Sequence, residues 1–308
     1  MKIYESFSEL VGRTPLLRLK KIEQRLGLCA KLIAKLEYMN PAGSAKDRVA
    51  KEIVDAMERK GELKEGSVII EPTSGNTGVG IAAISAERGY RAIIVMPSSM
   101  SKERQALIKA YGAEVVLTDG TLGMAGAIAE AERLKSEIKD AIILGQFVNP
   151  SNPEAHYKTT GPEIFEDTDG NADFFVAGIG TGGTVSGAGA YLKERLPDIK
   201  IVGVEPSNSP VLSNGKAGAH KIQGIGAGFI PEVLNRTVID EIITVGDEEA
   251  MEYARLLAYT EGVAVGISSG AALAAAVKVA QKKENEGKNV VLLLPDGVDR
   301  YLSTELIK

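Results

Sequence analysis

The chain has 308 residues, with 36 lysines and arginines against 41 aspartates and glutamates, a formal charge of −5. That balance gives no bulk positive field for nucleic acid or an anionic membrane. One cysteine (Cys29) and two histidines (His156, His220) can form neither an intrachain disulfide nor a zinc cage, and no metal site is expected.

The amino terminus, MKIYESFSEL, carries charges where a secretory signal needs an apolar stretch, so a cytoplasmic location is expected. Short apolar runs rich in Val and Ile then predict strands at 32–36, 68–71, 92–96, 114–117, 141–144, 174–177, 201–204, 242–245 and 290–294. Between them, helical periodicity predicts helices at 48–60, 77–88, 102–111, 123–139, 184–195, 247–260 and 269–283. Strands that are apolar throughout are covered on both faces, and their alternation with helices predicts an α/β chain of mostly parallel sheets. The weakly polar run 263–280 is interrupted by Gly266, Ser268, Ser269, Gly270 and Lys278, and so reads as a buried helix rather than a membrane span. Proline-rich QFVNPSNP (146–153) and MNPAG (39–43) are the candidate domain junctions.

In such sheets ligands bind beyond the carboxyl ends of strands, and four loops there carry unusual chemistry. In NPAGSAKDR (40–48), Ser44 and Asp47 fit a capping box, which would leave Lys46 as an ordinary first-turn residue. A lysine opposes the positive end of a helix dipole, and one partly buried there would have the lowered pKa that covalent catalysis needs. EPTSGNTGVG (71–80) follows a strand and opens a helix, with Thr73, Ser74, Asn76 and Thr77 around Gly75. It is either a capped βα turn or a carboxylate site. GIGTGGT (178–184) fits G-x-G-x-x-G with Glu205 downstream, the pattern of a dinucleotide site. Its hydroxyls, Thr181 and Thr184, suit a phosphate monoester instead. GISSG (266–270) is a helix start whose serines either cap it or aim at a ligand ring nitrogen. No G-x-S-x-G elbow or P-loop occurs, and neither histidine has a recognisable partner in sequence.

In order and spacing these four loops resemble the pyridoxal-phosphate enzymes of the tryptophan-synthase β-chain fold (fold type II). HKIQGIGAGFIP (220–231) resembles the O-acetylserine sulfhydrylase, or cysteine synthase, branch of that family. GRTPLLRL (12–19), MPSSMSKER (96–104), QFVNPSNPEAHYKTTGPEI (146–164) and RYLST (300–304) extend the likeness over nearly the whole chain. The resemblance implies two open, twisted, mostly parallel sheets with helices on both faces. It also implies a small mobile domain of residues 41–145 that binds the substrate carboxylate, and a larger cofactor domain of 1–40 plus 146–308.

By the same resemblance Lys46 is the catalytic lysine that carries pyridoxal 5′-phosphate. Gly180, Thr181, Gly182, Gly183 and Thr184 cradle the phosphate, Asn76 bonds the ring hydroxyl, and Ser268 (or the adjacent Ser269) partners the ring nitrogen. Thr73, Ser74, Gly75 and Thr77, with Gln146, bind the substrate carboxylate, and Gly224 lines the pocket. The implied reaction is replacement of the acetoxy group of O-acetyl-L-serine by sulfide to give L-cysteine and acetate. A homodimer and docking of a serine acetyltransferase carboxyl-terminal tail are implied as well. Cystathionine β-synthase, serine dehydratase or O-phosphoserine-dependent activity would share the first half-reaction, and an NAD-dependent dehydrogenase is the reading from another class. Asp296 stands where many relatives carry serine, a departure close to the cofactor ring.

Overall fold

The computed structural model describes residues 3–73 and 75–308. Among these, ten strands form two sheets. The larger has the order β1-β2-β10-β7-β8-β9, formed by β1 (Leu16–Arg18), β2 (Lys31–Leu36), β10 (Asn289–Leu294), β7 (Phe174–Gly178), β8 (Lys200–Pro206) and β9 (Glu241–Val245). The smaller has the order β5-β4-β3-β6, from β5 (Glu114–Thr118), β4 (Arg91–Pro97), β3 (Val68–Pro72) and β6 (Ala141–Ile143). Every pairing is parallel except β1 with β2.

The continuous apolar runs have a direct cause. Successive side chains leave a strand on opposite faces, and both faces of each sheet are covered. In β3, Ile69 packs under α2 (Lys46–Arg59) and α3 (Asn76–Arg88), while Val68 and Ile70 join the opposite layer with α5 (Gly123–Glu137). In the larger sheet, Val290 and Leu292 of β10 face α10 (Asp247–Glu261) and α11 (Ile267–Ala280), while Val291 and Leu293 face α8 (Gly183–Arg195). Each fully buried Val, Leu or Ile here contributes about 1.5–3 kcal/mol of transfer free energy. The run at 263–280 is indeed the buried helix α11, in which every residue but Lys278 is buried.

All nine predicted strands and all seven predicted helices are present, with ends displaced by a few residues. Four features among the strands and α-helices have no sequence counterpart, the four-residue α9 (Val211–Asn214) among them. The strand β1 and the helix α1 (Lys20–Leu26) are too short for a periodic signal. The fourth is the helical stretch α6 (Ser151–Ala155), a π turn at His156–Thr160, and α7 (Gly161–Asp167). Its prolines read as helix breakers, yet Pro150 precedes α6 and Pro162 sits in the first turn of α7, where a missing N–H costs nothing. The proposed junction 146–153 therefore runs into a helix that packs between α2 and α8.

Candidate active site

The carboxyl ends of β3, β7 and β10 open onto one cavity of about 450 Å³ lying between the two sheets. Lys46, Asn76, Ser268 and Gly224 line it, as do Gly180 and Thr181 of the glycine loop and Thr73, Thr77 and Gln146 of the carboxylate set. Gly75, Gly182, Gly183 and Thr184 belong to the same turns, and Ser74 lies outside the described residues.

The glycine loop is a cradle that only glycine can form. Gly182 has φ 84°, a left-handed turn that releases the chain into α8. A Cβ on Gly180 would lie 2.4 Å from the Gly224 carbonyl oxygen, and one on Gly183 would lie 1.9 Å from Asn152 Oδ1. The first amides of the thirteen-residue α8 have no intrahelical partner and face this loop, with Thr181 beside them. Asn152 braces the loop: its Nδ2 donates to Thr181 Oγ1 at 2.9 Å and to the Gln146 carbonyl at 2.7 Å. Its Oδ1 is buried without a partner among the described residues.

Thr184 Oγ1 lies 3.2 Å from Nε2 of His156, whose Nδ1 lies 2.9 Å from Thr160 Oγ1, so the histidine without an obvious partner in sequence supports the cradle from behind. Burial, with the charges of Lys46 and Arg48, lowers His156 to about 3. The unfolded chain takes up a proton near pH 6.5 that the folded chain refuses. The stability due to neutral His156 is therefore full above 6.5 and lost as pH falls towards 3. Between these limits wild-type unfolding should take up about one proton more than unfolding of His156→Asn, as measured by denaturant titrations across pH. Parallel pH profiles would contradict the burial of an uncharged ring.

Lys46 is the first residue of α2, and its backbone N–H donates to Ser44 Oγ at 3.2 Å. The expected capping box is not formed: Ala45 is the N-cap and has no side-chain cap bond, and Ser44 Oγ instead lies 3.4 Å from Asp47 Oδ1. Burial lowers the Lys46 amine, while Asp296, Glu37 and Asp47 oppose the shift. Behind it, Arg48 ties α2 to the turn after β2 and to α7 by ion pairs to Glu37 and Glu163, both at 2.7 Å. Burial alone would raise the Glu37 carboxyl, but the Arg48 guanidinium outweighs it and brings it to about 2.

At the opposite wall, Thr73 Oγ1 accepts from Gly75 N–H at 3.1 Å, and Thr77 Oγ1 donates to Gln146 Oε1 at 2.6 Å. Glu71, buried at the end of β3, accepts backbone N–H bonds from Gly145 (2.9 Å) and Gln146 (3.1 Å). Burial pushes its carboxyl up to about 7 against these two donors. Asn76 Nδ2 donates to Asp296 Oδ2 at 2.7 Å, and the same oxygen accepts from the Tyr301 hydroxyl at 2.7 Å. The departure at Asp296 thus has a place, as the shared acceptor behind Asn76. Of the two candidate serines, Ser268 lines the cavity, whereas the Ser269 hydroxyl donates to the Asp296 carbonyl at 3.4 Å.

Arg104 was given no role by the sequence. It is buried in the wall, 3.7 Å from Asp296, hydrogen-bonded to Gln223, and stacked 4.6 Å over the Tyr301 ring. It lies in the first turn of α4 (Lys102–Ala110), the same unfavourable place for a cation that marks Lys46. The dinucleotide reading fails on geometry. Both Glu205 oxygens are engaged in holding the next turn of the chain, Oε2 by the amide of Leu212 (2.8 Å) and Oε1 by the amide of Ser213 (3.0 Å), instead of facing the glycine-loop cavity. Among the described residues no helix is long and apolar enough to cross a membrane.

The family model of the pyridoxal-phosphate dependent enzymes matches residues 7–296. The chain belongs to this family. It is 49% identical to a cysteine synthase of Staphylococcus aureus over 99% of its own length and 97% of that protein. A crystal structure of a cysteine synthase from Entamoeba histolytica superposes with a TM-score of 0.95 at 45% identity, covering 99% of this chain and 91% of the other. A hydrogen sulfide-producing enzyme from Fusobacterium nucleatum superposes at 0.94 with 43% identity, covering 97% and 100%. The cofactor of the family is pyridoxal 5′-phosphate, and the residues present fit it. The first amides of α8 and the hydroxyls of Thr181 and Thr184 are hydrogen-bond donors of the kind a phosphate needs, and a lysine of lowered pKa stands in the same cavity.

Proposed function

We propose that the chain replaces the acetoxy group of O-acetyl-L-serine by sulfide, giving L-cysteine and acetate. The observation that carries this reading is the meeting, in one cavity, of Lys46, a phosphate cradle and a hydroxyl-rich carboxylate loop. The likeness to cysteine synthases over the whole chain supports it.

In this reading Gly180, Thr181, Gly182, Gly183 and Thr184 hold the phosphate, Asn76 bonds the ring hydroxyl, and Ser268 faces the ring nitrogen. Pyridoxal phosphate supplies the electron sink that labilises the α-proton and β-substituent of an amino acid joined to it. A neutral serine hydroxyl would not keep the ring nitrogen protonated as a carboxylate would, so less negative charge would be stored in the ring, which favours prompt departure of the β-substituent. Thr73, Ser74, Gly75, Thr77 and Gln146 take the substrate carboxylate, and Gly224 leaves room beside Ser268. Lys46 Nζ, whose hold on a proton is weakened by burial, removes the α-proton and later returns it. The Cβ–O bond breaks with its electron pair leaving on acetate, and sulfide then forms the C–S bond.

Carboxylate binding would draw residues 41–145 towards 1–40 plus 146–308 and exclude water, the usual service of a closing domain. The β5-β4-β3-β6 sheet falls wholly inside the first segment, in keeping with this division. A cytoplasmic homodimer that docks a serine acetyltransferase tail completes the proposal. The leaving group is tested by adding O-acetylserine, O-phosphoserine and serine separately to the holoenzyme without sulfide. The visible band should shift promptly with O-acetylserine alone. An equal or faster response to O-phosphoserine or serine would overturn the assignment of acetate.

A further inference from the structure

We propose that Glu71 is a positioning residue that fixes Gln146 and so joins the carboxylate loop to the phosphate cradle; this rests on the carboxylate-binding reading of Thr77 and Gln146. Glu71 is the last residue but one of β3, two residues before Thr73, and its two carboxylate oxygens take the backbone N–H groups of Gly145 and Gln146, where the chain leaves β6. The Gln146 backbone is therefore welded to the strand that carries the loop.

From Gln146 the hydrogen bonds run two ways. Its side chain accepts from Thr77 Oγ1 and donates to the Pro72 carbonyl at 3.4 Å, both within the carboxylate loop. Its carbonyl accepts from Asn152 Nδ2, which also donates to Thr181 Oγ1 in the cradle. Glu71, Gln146 and Asn152 are 1%, 3% and 0% exposed, so no water competes freely for these bonds. A carboxylate accepts two N–H groups at once. A carboxamide accepts only one and presents its own N–H₂ to the other.

Glu71→Gln should therefore loosen Gln146 while leaving the reacting groups untouched. In the pyridoxal-phosphate-loaded enzyme its KM for O-acetylserine should rise about tenfold or more, the scale of one lost charge-assisted hydrogen bond. Its kcat and its KM for sulfide should stay within about twofold, and its visible spectrum should be unchanged. Glu71→Asp, which keeps the charge but not the reach, should move the same constant in the same direction. Asn152→Ala should weaken cofactor and O-acetylserine binding together. Its effect on O-acetylserine should be less than multiplicative with Glu71→Gln, because both act through Gln146.

An unchanged KM for O-acetylserine in both Glu71 variants would overturn the proposal. So would equal losses of kcat and cofactor, which mark general structural damage, or strictly multiplicative effects with Asn152→Ala. The carboxylate reading has its own signature. Wild-type enzyme should bind O-acetylserine far better than its methyl ester, and equal binding would remove that reading and this proposal with it.

Discussion

Lys46→Ala should leave a folded protein that holds pyridoxal phosphate without a covalent bond and makes cysteine only at a trace rate. Lys46 heads α2, where alanine is tolerated, and it lines the cavity. Burial that lowers its pKa costs stability in the wild type, so removal should leave the thermal midpoint of the cofactor-free protein nearly unchanged. The catalytic loss should be about 10⁴-fold, the upper end of what a positioned proton-transfer group supplies. Borohydride reduction followed by intact-mass analysis checks the covalent role. Wild-type protein should gain the mass of the cofactor and the variant should not. Retention of the adduct would mean that another lysine carries it.

Gly183→Ala should abolish tight cofactor binding. The new Cβ would stand 1.9 Å from Asn152 Oδ1 and 2.6 Å from its Cγ. The carboxamide would have to swing away, and its bonds to Thr181 Oγ1 and the Gln146 carbonyl would go with it. Overpacking of this kind costs about 1–3 kcal/mol, and the phosphate would also lose its braced threonine, so affinity should fall about a hundredfold. Titration of the cofactor-free protein with pyridoxal phosphate reads this directly. Wild-type affinity in the variant would show that the glycine loop does not hold the phosphate.

Much of this fold was legible in the sequence for one reason. Both faces of both sheets are covered, so strands such as Ile69–Ile70 and Val290–Leu294 are apolar without interruption. What could not be read was either too short to repeat, as in β1, or disguised by prolines placed where helices tolerate them, as in 151–167. The site loops were visible because their chemistry is local: a first-turn lysine, a run of hydroxyls, four glycines in GIGTGG. Glu71 and Asn152 act only through partners brought to them by folding, Gly145 lying 74 residues from Glu71 and Thr181 lying 29 from Asn152. The choice between Ser268 and Ser269 likewise needed the helix phase, since adjacent residues point different ways. Arg104 carried the same mark as Lys46, a cation in a helix's first turn, and its burial explains why.

The most direct test is the product balance of the pyridoxal-phosphate-loaded enzyme given O-acetylserine and sulfide. The proposed replacement predicts cysteine and acetate in equal amounts, each matching the O-acetylserine consumed, with no cysteine when sulfide is omitted. Pyruvate and ammonia in place of cysteine, with sulfide present, would contradict it.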